Sequence, residues 1–247
     1  MSYELFAEYY DELTGNVDYD ARAVYLDALI RRYKPDAHLL VDLACGTGSM
    51  TVKFAAMGYD VIGVDLSEDM LSKAREKSDG SILYLRQRLQ ELDMYGTIDA
   101  FVCTLDSLNH ITDRAGLVEA LRRVALFLEP DGVFVFDMNT PYKHEAVLGD
   151  NAYVYETENV YCVWQNEYAG GGRVDISLDF FEEQENGSYE RYSEEFSEIA
   201  YSYAETEQLL REAGLAICAA YDDMTDQPPR ETSERIIFAA RKGMATQ

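Results

Sequence analysis

The sequence predicts an α/β protein, a mostly parallel sheet of seven strands with a helical cap before it and an antiparallel β lobe inserted into it. Three observations predict this. Short apolar runs alternate with helix-patterned stretches over residues 35–148 and again over 200–247, as in a sheet covered by helices. A glycine loop, Cys45-Gly46-Thr47-Gly48, sits between the first such run and the first of those helices. From about residue 149 to 199 the apolar period switches to two, and Asn186-Gly187 is a strong hairpin signal.

Residues 1–34 read as the cap, two short helical patterns around Thr14-Gly15-Asn16, with Asp18 or Asp20 available to start the second. Leu39 to Leu43 reads as a buried strand, Ser49 to Met57 as a helix stopped by Gly58, and Val61 to Val64 as a second strand ending at Asp65. Ser67 reads as the cap of a helix over EDMLSKAREK. Short strands follow at 82–85 and Ile98 to Leu105, then a helix over 115–128 broken by Pro130-Asp131-Gly132, then a strand from Val133 to Phe136. In the lobe, Val174, Ile176, Leu178 and Phe180 alternate with Asp175, Ser177 and Asp179, and Gly170-Gly171-Gly172 makes a turn. Residues 203–213 return to helical spacing, and Leu215 to Tyr221 and Arg235 to Arg241 give the last two strands.

Composition narrows the function. Of 247 residues, 46 are acidic and 21 basic, a formal net charge of −25. Nucleic-acid binding rests on Lys and Arg neutralising phosphates, and an anionic membrane surface makes the same demand, so neither partner is expected. No basic-plus-apolar leader and no apolar run of membrane-spanning length is visible, which points to the cytoplasm. Cys45, Cys103, Cys162 and Cys218 form no C-x-x-C pair and read as reduced thiols. Three scattered histidines speak against a His-based metal site.

The chemistry sits in residues 39–66. A loop after one strand and an acid at the end of the next are parts of a Rossmann-like nucleoside crevice. A dinucleotide fingerprint needs a third glycine, but Gly46-Thr47-Gly48 is followed by Ser49, Met50 and Thr51. Asp42 stands inside the first strand, where a pyrophosphate would be repelled and a ligand with an ammonium and a sulfonium attracted. VDLACGTG followed by VIGVDLSEDML resembles the first two motifs of the class I S-adenosylmethionine-dependent methyltransferases. The resemblance covers about residues 35–140 and 200–242. The inserted sheet is shared with only some members, among them the sugar-amine and glycine N-methyltransferases.

The resemblance implies S-adenosylmethionine as cofactor and in-line transfer of its methyl group to a small molecule; the acidity and the insertion make an amine the first choice of acceptor, with an oxygen acceptor left open. It places Tyr10 and Tyr19 over the methionine end, Asp42, Ala44, Gly46 and Gly48 in and before the loop, and Asp65 on the ribose diol. Leu66, Met70, Gln87, Arg88 and Leu89 fall around the adenine, and Leu105 touches the cofactor. Many relatives carry an acid where this chain has Arg88, so Gln87 or a backbone carbonyl must take the adenine amino group. Asp106-Ser107-Leu108-Asn109-His110 resembles a D-S-L-N stretch of small-molecule members, with Asp106 read as a helix cap and Asn109 and His110 facing the acceptor. His110 is a candidate general base because imidazole titrates near neutrality. Asn139, at the end of the fifth strand, and Trp164, with Tyr153, Tyr155, Tyr161 and Tyr168, are candidate acceptor contacts. The same aromatic sheet also suits a homodimer interface. A cofactor-binding protein without catalysis and a nicotinamide oxidoreductase remain as other classes.

Overall fold

The structure is a computed structural model and describes residues 4–243. Helices α1 (Glu4–Leu13) and α2 (Tyr19–Tyr33) open the chain. The Asp18 carboxylate accepts from the Ala21 amide, 2.9 Å away, and so starts α2.

The core then alternates strands and helices. Its first half holds β1 (Leu39–Leu43), α3 (Ser49–Ala56), β2 (Asp60–Asp65), α4 (Glu68–Lys77) and β3 (Leu83–Arg86). Its second half holds β4 (Ile98–Cys103), α5 (Arg114–Phe127) and β5 (Leu128–Asn139). After the lobe come α6 (Tyr203–Glu212), started by a Ser202–Glu205 capping box, β10 (Leu215–Asp222) and β11 (Arg235–Lys242). The β5 strand begins five residues earlier than its apolar run suggests. Leu128 already pairs with Ile98, and residues 129–132, with Pro130, bulge out before pairing resumes at Val133.

The seven strands lie in the order β10-β11-β5-β4-β1-β2-β3, with β11 antiparallel to both its neighbours and the other pairs parallel. Alternation along the strands builds two cores. Phe101, Phe134, Phe136 and Phe238 pack under α5 and α6, while Leu40, Ala100, Val102, Val133 and Val135 pack under α2 and α3. The strands after β1 are added first on one side, β2 and β3, and then on the other, β4 and β5, so a crevice opens at the carboxyl ends of the parallel pair β1 and β4, and this positions the site.

The lobe leaves from β5 through a π-helical turn, Lys143–Leu148. It is a four-stranded antiparallel sheet, β6 (Ala152–Glu156), β7 (Val160–Gly170), β8 (Arg173–Glu183) and β9 (Tyr189–Ile199). Val160, Cys162, Val174, Ile176, Leu178 and Phe180 form its apolar face, and Tyr9 and Leu13 of α1 pack against it. The Tyr9 hydroxyl donates to Glu182 across 2.5 Å, which ties the cap to the lobe. Among the described residues, no helix is long and apolar enough to cross a membrane.

Candidate active site

The loop between β1 and α3 is locked to the end of β2. Gly46 N donates to Asp65 Oδ2 at 2.9 Å, and Ser67 N donates to Oδ1 at 2.8 Å. Each carboxylate oxygen keeps acceptor capacity for a ligand. Burial pushes the Asp65 carboxyl up, against the pull of the Ser67 and Gly46 amides. Gly48 takes φ +76°, and a Cβ there would stand 2.8 Å from Tyr84 Oη and 3.0 Å from Ala74 Cβ. The loop therefore lies close on α4, and no third glycine is needed for that contact.

Asp42 is 1 % exposed, and its one hydrogen-bond donor among the described residues is Thr51 Oγ1, at 2.6 Å. Burial pushes its carboxyl up to about 7; the Thr51 hydroxyl opposes this and the Asp65 charge adds to it. A buried carboxylate with so little compensation suits a cationic ligand. Tyr10, Tyr19, Asp42, Ala44, Gly46 and Leu105 line one cleft together with Thr47, Ser49 and Ser107. It is narrow, about 330 Å³ of unfilled space with its mouth included. Helix α1 roofs it through Asp11, whose Oδ1 accepts from Thr47 Oγ1 at 2.6 Å and from Ser49 Oγ at 3.1 Å.

Beyond Asp65 lie Leu66, Met70, Gln87, Arg88 and Leu89. Leu66 is exposed, Met70 is buried, and Leu89 rests against the core at the start of a short turn, Leu89–Glu91. The Gln87 side chain is not available to a ligand. Its Oε1 accepts from Asp93 N at 2.8 Å and its Nε2 donates to Asp93 O at 3.1 Å, so it closes the 87–93 loop instead. Arg88 is exposed and brings no acceptor to this rim.

The opposite end of the cleft is set by Asp137, which is fully buried. Leu105 and Asp106 both adopt left-handed backbone, φ 57° and 55°. Asp137 holds them there by accepting from their amides at 2.9 and 2.8 Å. Arg235 pairs with Asp137 and, at 2.8 Å, with Asp106. Asp106 thus serves an ion pair and does not cap the following turn with its side chain. Burial alone would raise its carboxyl, but Arg235, Lys143 and His110 outweigh that and hold it well below the usual range.

Asn109 and Asn139 are not free acceptor contacts. Asn109 is fully buried; its Oδ1 accepts from Asn139 N at 3.0 Å, and its Nδ2 donates to the carbonyls of Asn139 and Ile199. Asn139 Nδ2 donates to Asp106 and Glu198, and its Oδ1 accepts from Lys143 Nζ. Trp164 is spent on the lobe's own apolar face, with Nε1 donating to Asn166 at 2.6 Å.

His110 is different. Its side chain is 44 % exposed, packs against Phe196 with ring centroids 5.1 Å apart and planes tilted by 35°, and borders a large cavity over the lobe. That cavity offers about 1780 Å³ of open space between His110, Thr112, Asp150, Gln165, Glu167, Asp175, Ser177 and Glu195. The sequence reading missed Thr51, Lys77, His144 and Glu198. Glu198 had a signal, since the strand's period of two puts it on the inward phase with Glu194 and Phe196.

Known proteins settle which chemistry this architecture belongs to. A methyltransferase domain family matches residues 40–132. A Bacillus subtilis protein described as a methyltransferase is 33 % identical over 246 residues, 98 % of each chain. The crystal structure of an S-adenosylmethionine-dependent methyltransferase from Clostridium acetobutylicum superposes with a TM-score of 0.87 at 31 % identity, covering 98 % of this chain and 99 % of that one. The chain is an S-adenosylmethionine-dependent methyltransferase. The methyltransferase is also 36 % identical over 120 residues to a dTDP-3-amino-3,6-dideoxy-α-D-glucopyranose N,N-dimethyltransferase of Streptomyces fradiae, a match covering 49 % of this chain and 47 % of that one. The inserted lobe of the methyltransferase lies outside the residues matched by the domain family.

Proposed function

We propose that this methyltransferase N-methylates a small polar amine. The observation that carries this reading is the acidic cavity that His110 borders. Asp150, Glu167, Asp175 and Glu195 bring four carboxylates to it against the single guanidinium of Arg173, which Asp175 already pairs at 2.8 Å. Such a wall attracts a cationic amine and repels an anionic acceptor. Its amides and hydroxyls, Asn151, Asn166, Gln165, Ser177 and Ser197, suit an acceptor rich in hydroxyl groups. The amino-sugar specificity of the Streptomyces relative agrees with that chemistry.

The cofactor supplies a methyl group already activated on a positive sulfur. The chain's own residues bind, align and exclude water. In this reading Asp65 takes the ribose diol and Asp42 neutralises the cationic end of the cofactor, while Tyr10, Tyr19 and Leu105 wall it in. An acceptor amine must attack with its lone pair free. Burial pushes the hydroxyls of Tyr10 and Tyr19 up, so they stay protonated and act as walls, not bases. Asp106 is committed to Arg235. His110 is left as the group that receives the amine's proton.

Release of S-adenosylhomocysteine, followed over a panel of amino sugars, amino acids and polyamines beside matched alcohols and phenols, tests the proposal. Turnover of amines with none of the alcohols or phenols is expected. Turnover confined to the hydroxyl compounds would overturn it.

A further inference from the structure

Glu198 stands opposite Val174 near the end of β9 and is 3 % exposed. Its carboxylate lies between two imidazoles. Oε1 is 3.6 Å from His110 Nε2, and Oε2 is 3.3 Å from His144 Nε2. Asn139 Nδ2 donates to Oε2 from 3.3 Å. His144 is wholly buried, and its Nδ1 is 2.7 Å from the carbonyl oxygen of Gly172. A carbonyl only accepts, so the proton is on Nδ1. His144 Nε2 then meets Glu198 and has no hydrogen-bond partner among the described residues. A bare lone pair facing a carboxylate is repulsive, so the His144–Glu198 pair must hold a proton between them. A carboxylate this deep is costly unless charge and hydrogen bonds compensate it, and one amide donor does not suffice.

We propose that Glu198 is the positioning residue of His110, fixed from behind by His144 and Asn139 and holding the Nε2–H edge of the His110 ring. The inference rests on the reading of His110 as proton acceptor in amine methylation. Phe196, two residues earlier on the same strand, packs against the ring at a tilt of 35°, so one strand touches both a face and the Nε2 edge of the imidazole. With its hydrogen on Nε2, the ring keeps the Nδ1 lone pair for the acceptor. The amine nitrogen then bonds to the methyl carbon, the carbon–sulfur electron pair leaves with sulfur, and an N–H proton passes from the amine to Nδ1. The imidazolium that forms has its second N–H already turned to a carboxylate.

The other charged groups around this cluster have different partners. Asp106, from the loop after β4, serves Arg235 of β11. Lys143, from the π-helical turn, donates to Asn139 Oδ1 at 3.0 Å. Asp65, at the end of β2, accepts from Gly46 and Ser67. Among the described residues, Glu198 is the one carboxylate at ion-pair distance from the His110 ring.

Nitrogen-15-edited proton NMR of the full chain with S-adenosylhomocysteine tests the arrangement directly. Two downfield imidazole Nε2–H signals are expected at low temperature, that of buried His144 slow to exchange and that of half-exposed His110 faster, assigned by their loss in His110→Asn and His144→Asn. The His110 signal should vanish in Glu198→Gln while the amide fingerprint of the sheet stays in place. Its absence from the wild type, or its persistence in Glu198→Gln, would overturn the proposal. With whichever amine of the panel is methylated, Glu198→Gln should lower kcat by about 10- to 100-fold at unchanged KM, the range expected when a reacting group is misplaced by about an ångström. Adding His110→Asn should cost nothing more. A raised KM at unchanged kcat would also overturn it. If the wild type methylates no amine, the functional reading falls, and the NMR result still decides whether Glu198 holds His110.

Discussion

Asp11 on α1 and Lys77 at the end of α4 meet over the glycine loop, Oδ2 and Nζ 2.7 Å apart. Between them lie Thr47 and Ser49, whose hydroxyls bond both partners. Four side chains, from three helices and the glycine loop, thus pin the roof helix onto the loop that walls the cleft. The hydroxyls and Lys77 together outweigh burial and hold the Asp11 carboxyl below its usual value, so the pin stays charged at neutral pH.

If α1 is what the cofactor must move, weakening this latch speeds cofactor exchange. Asp11→Asn removes its charge and keeps its shape. The pair is half-exposed, so its contribution is about 1 kcal/mol or less, and association and dissociation of S-adenosylhomocysteine should both quicken by up to about fivefold. Stopped-flow fluorescence of the single tryptophan, Trp164, measures both rates. Unchanged rates would mean that α1 is not what the ligand must move.

Asp42 sets a trade between stability and binding. The folded chain keeps its proton up to about pH 7, whereas the unfolded chain releases it near 3.8. Between those values the folded state holds more protons, so stability falls as pH rises, and the loss is complete above 7. Asparagine does not titrate and can still accept from Thr51. Asp42→Asn should therefore be more stable than wild type at pH 8, by about 1–3 kcal/mol, with the gain fading towards pH 4. The same change should weaken S-adenosylmethionine binding at least about tenfold, since a cation loses its buried counter-charge. Denaturation curves at the two pH values and calorimetric titration at pH 8 check both halves.

Asn109 is a stitch. Its amide closes on both backbone groups of Asn139 and on the carbonyl of Ile199, all away from water. Asn109→Ala leaves those groups without partners and should cost about 2–4 kcal/mol, because an unmet buried donor or acceptor bears its full desolvation penalty. Urea denaturation gives the size, and faster amide exchange at Ala200 and Tyr201 than in β1 or β4 would place the loss at the lobe's root.

The fold was legible because its signals are local. Apolar runs, the glycine loop and the change of period are each written in a dozen neighbouring residues, and the strands from Leu39 and Val61 lie where those runs put them. The half of the cleft around Asp42, Gly46 and Asp65 was legible for the same reason, since strand, loop and strand are contiguous. The acceptor side was not. Asn109 and Asn139 are polar residues at the right strand ends, yet each is spent on a partner distant in sequence, and Trp164 is spent on the lobe's own apolar face. Asn109 reaches Ile199 and Asn139 reaches Glu198, and no local pattern reports such pairings. Gln87 failed differently, because its amide turned back on its own loop. Glu198 was hidden by its company, one acid in a strand that carries acids on both faces.

The chain departs for the lobe at Asn139 and comes home at Ile199, and one amide clasps both points. An excursion that leaves and returns at one clasp has its two ends fixed side by side. Its strands can lengthen or swap wall residues with those ends held, so long as the Tyr9–Glu182 tie to the cap is kept. Diversity of acceptors upon a constant donor cradle is what such an attachment permits.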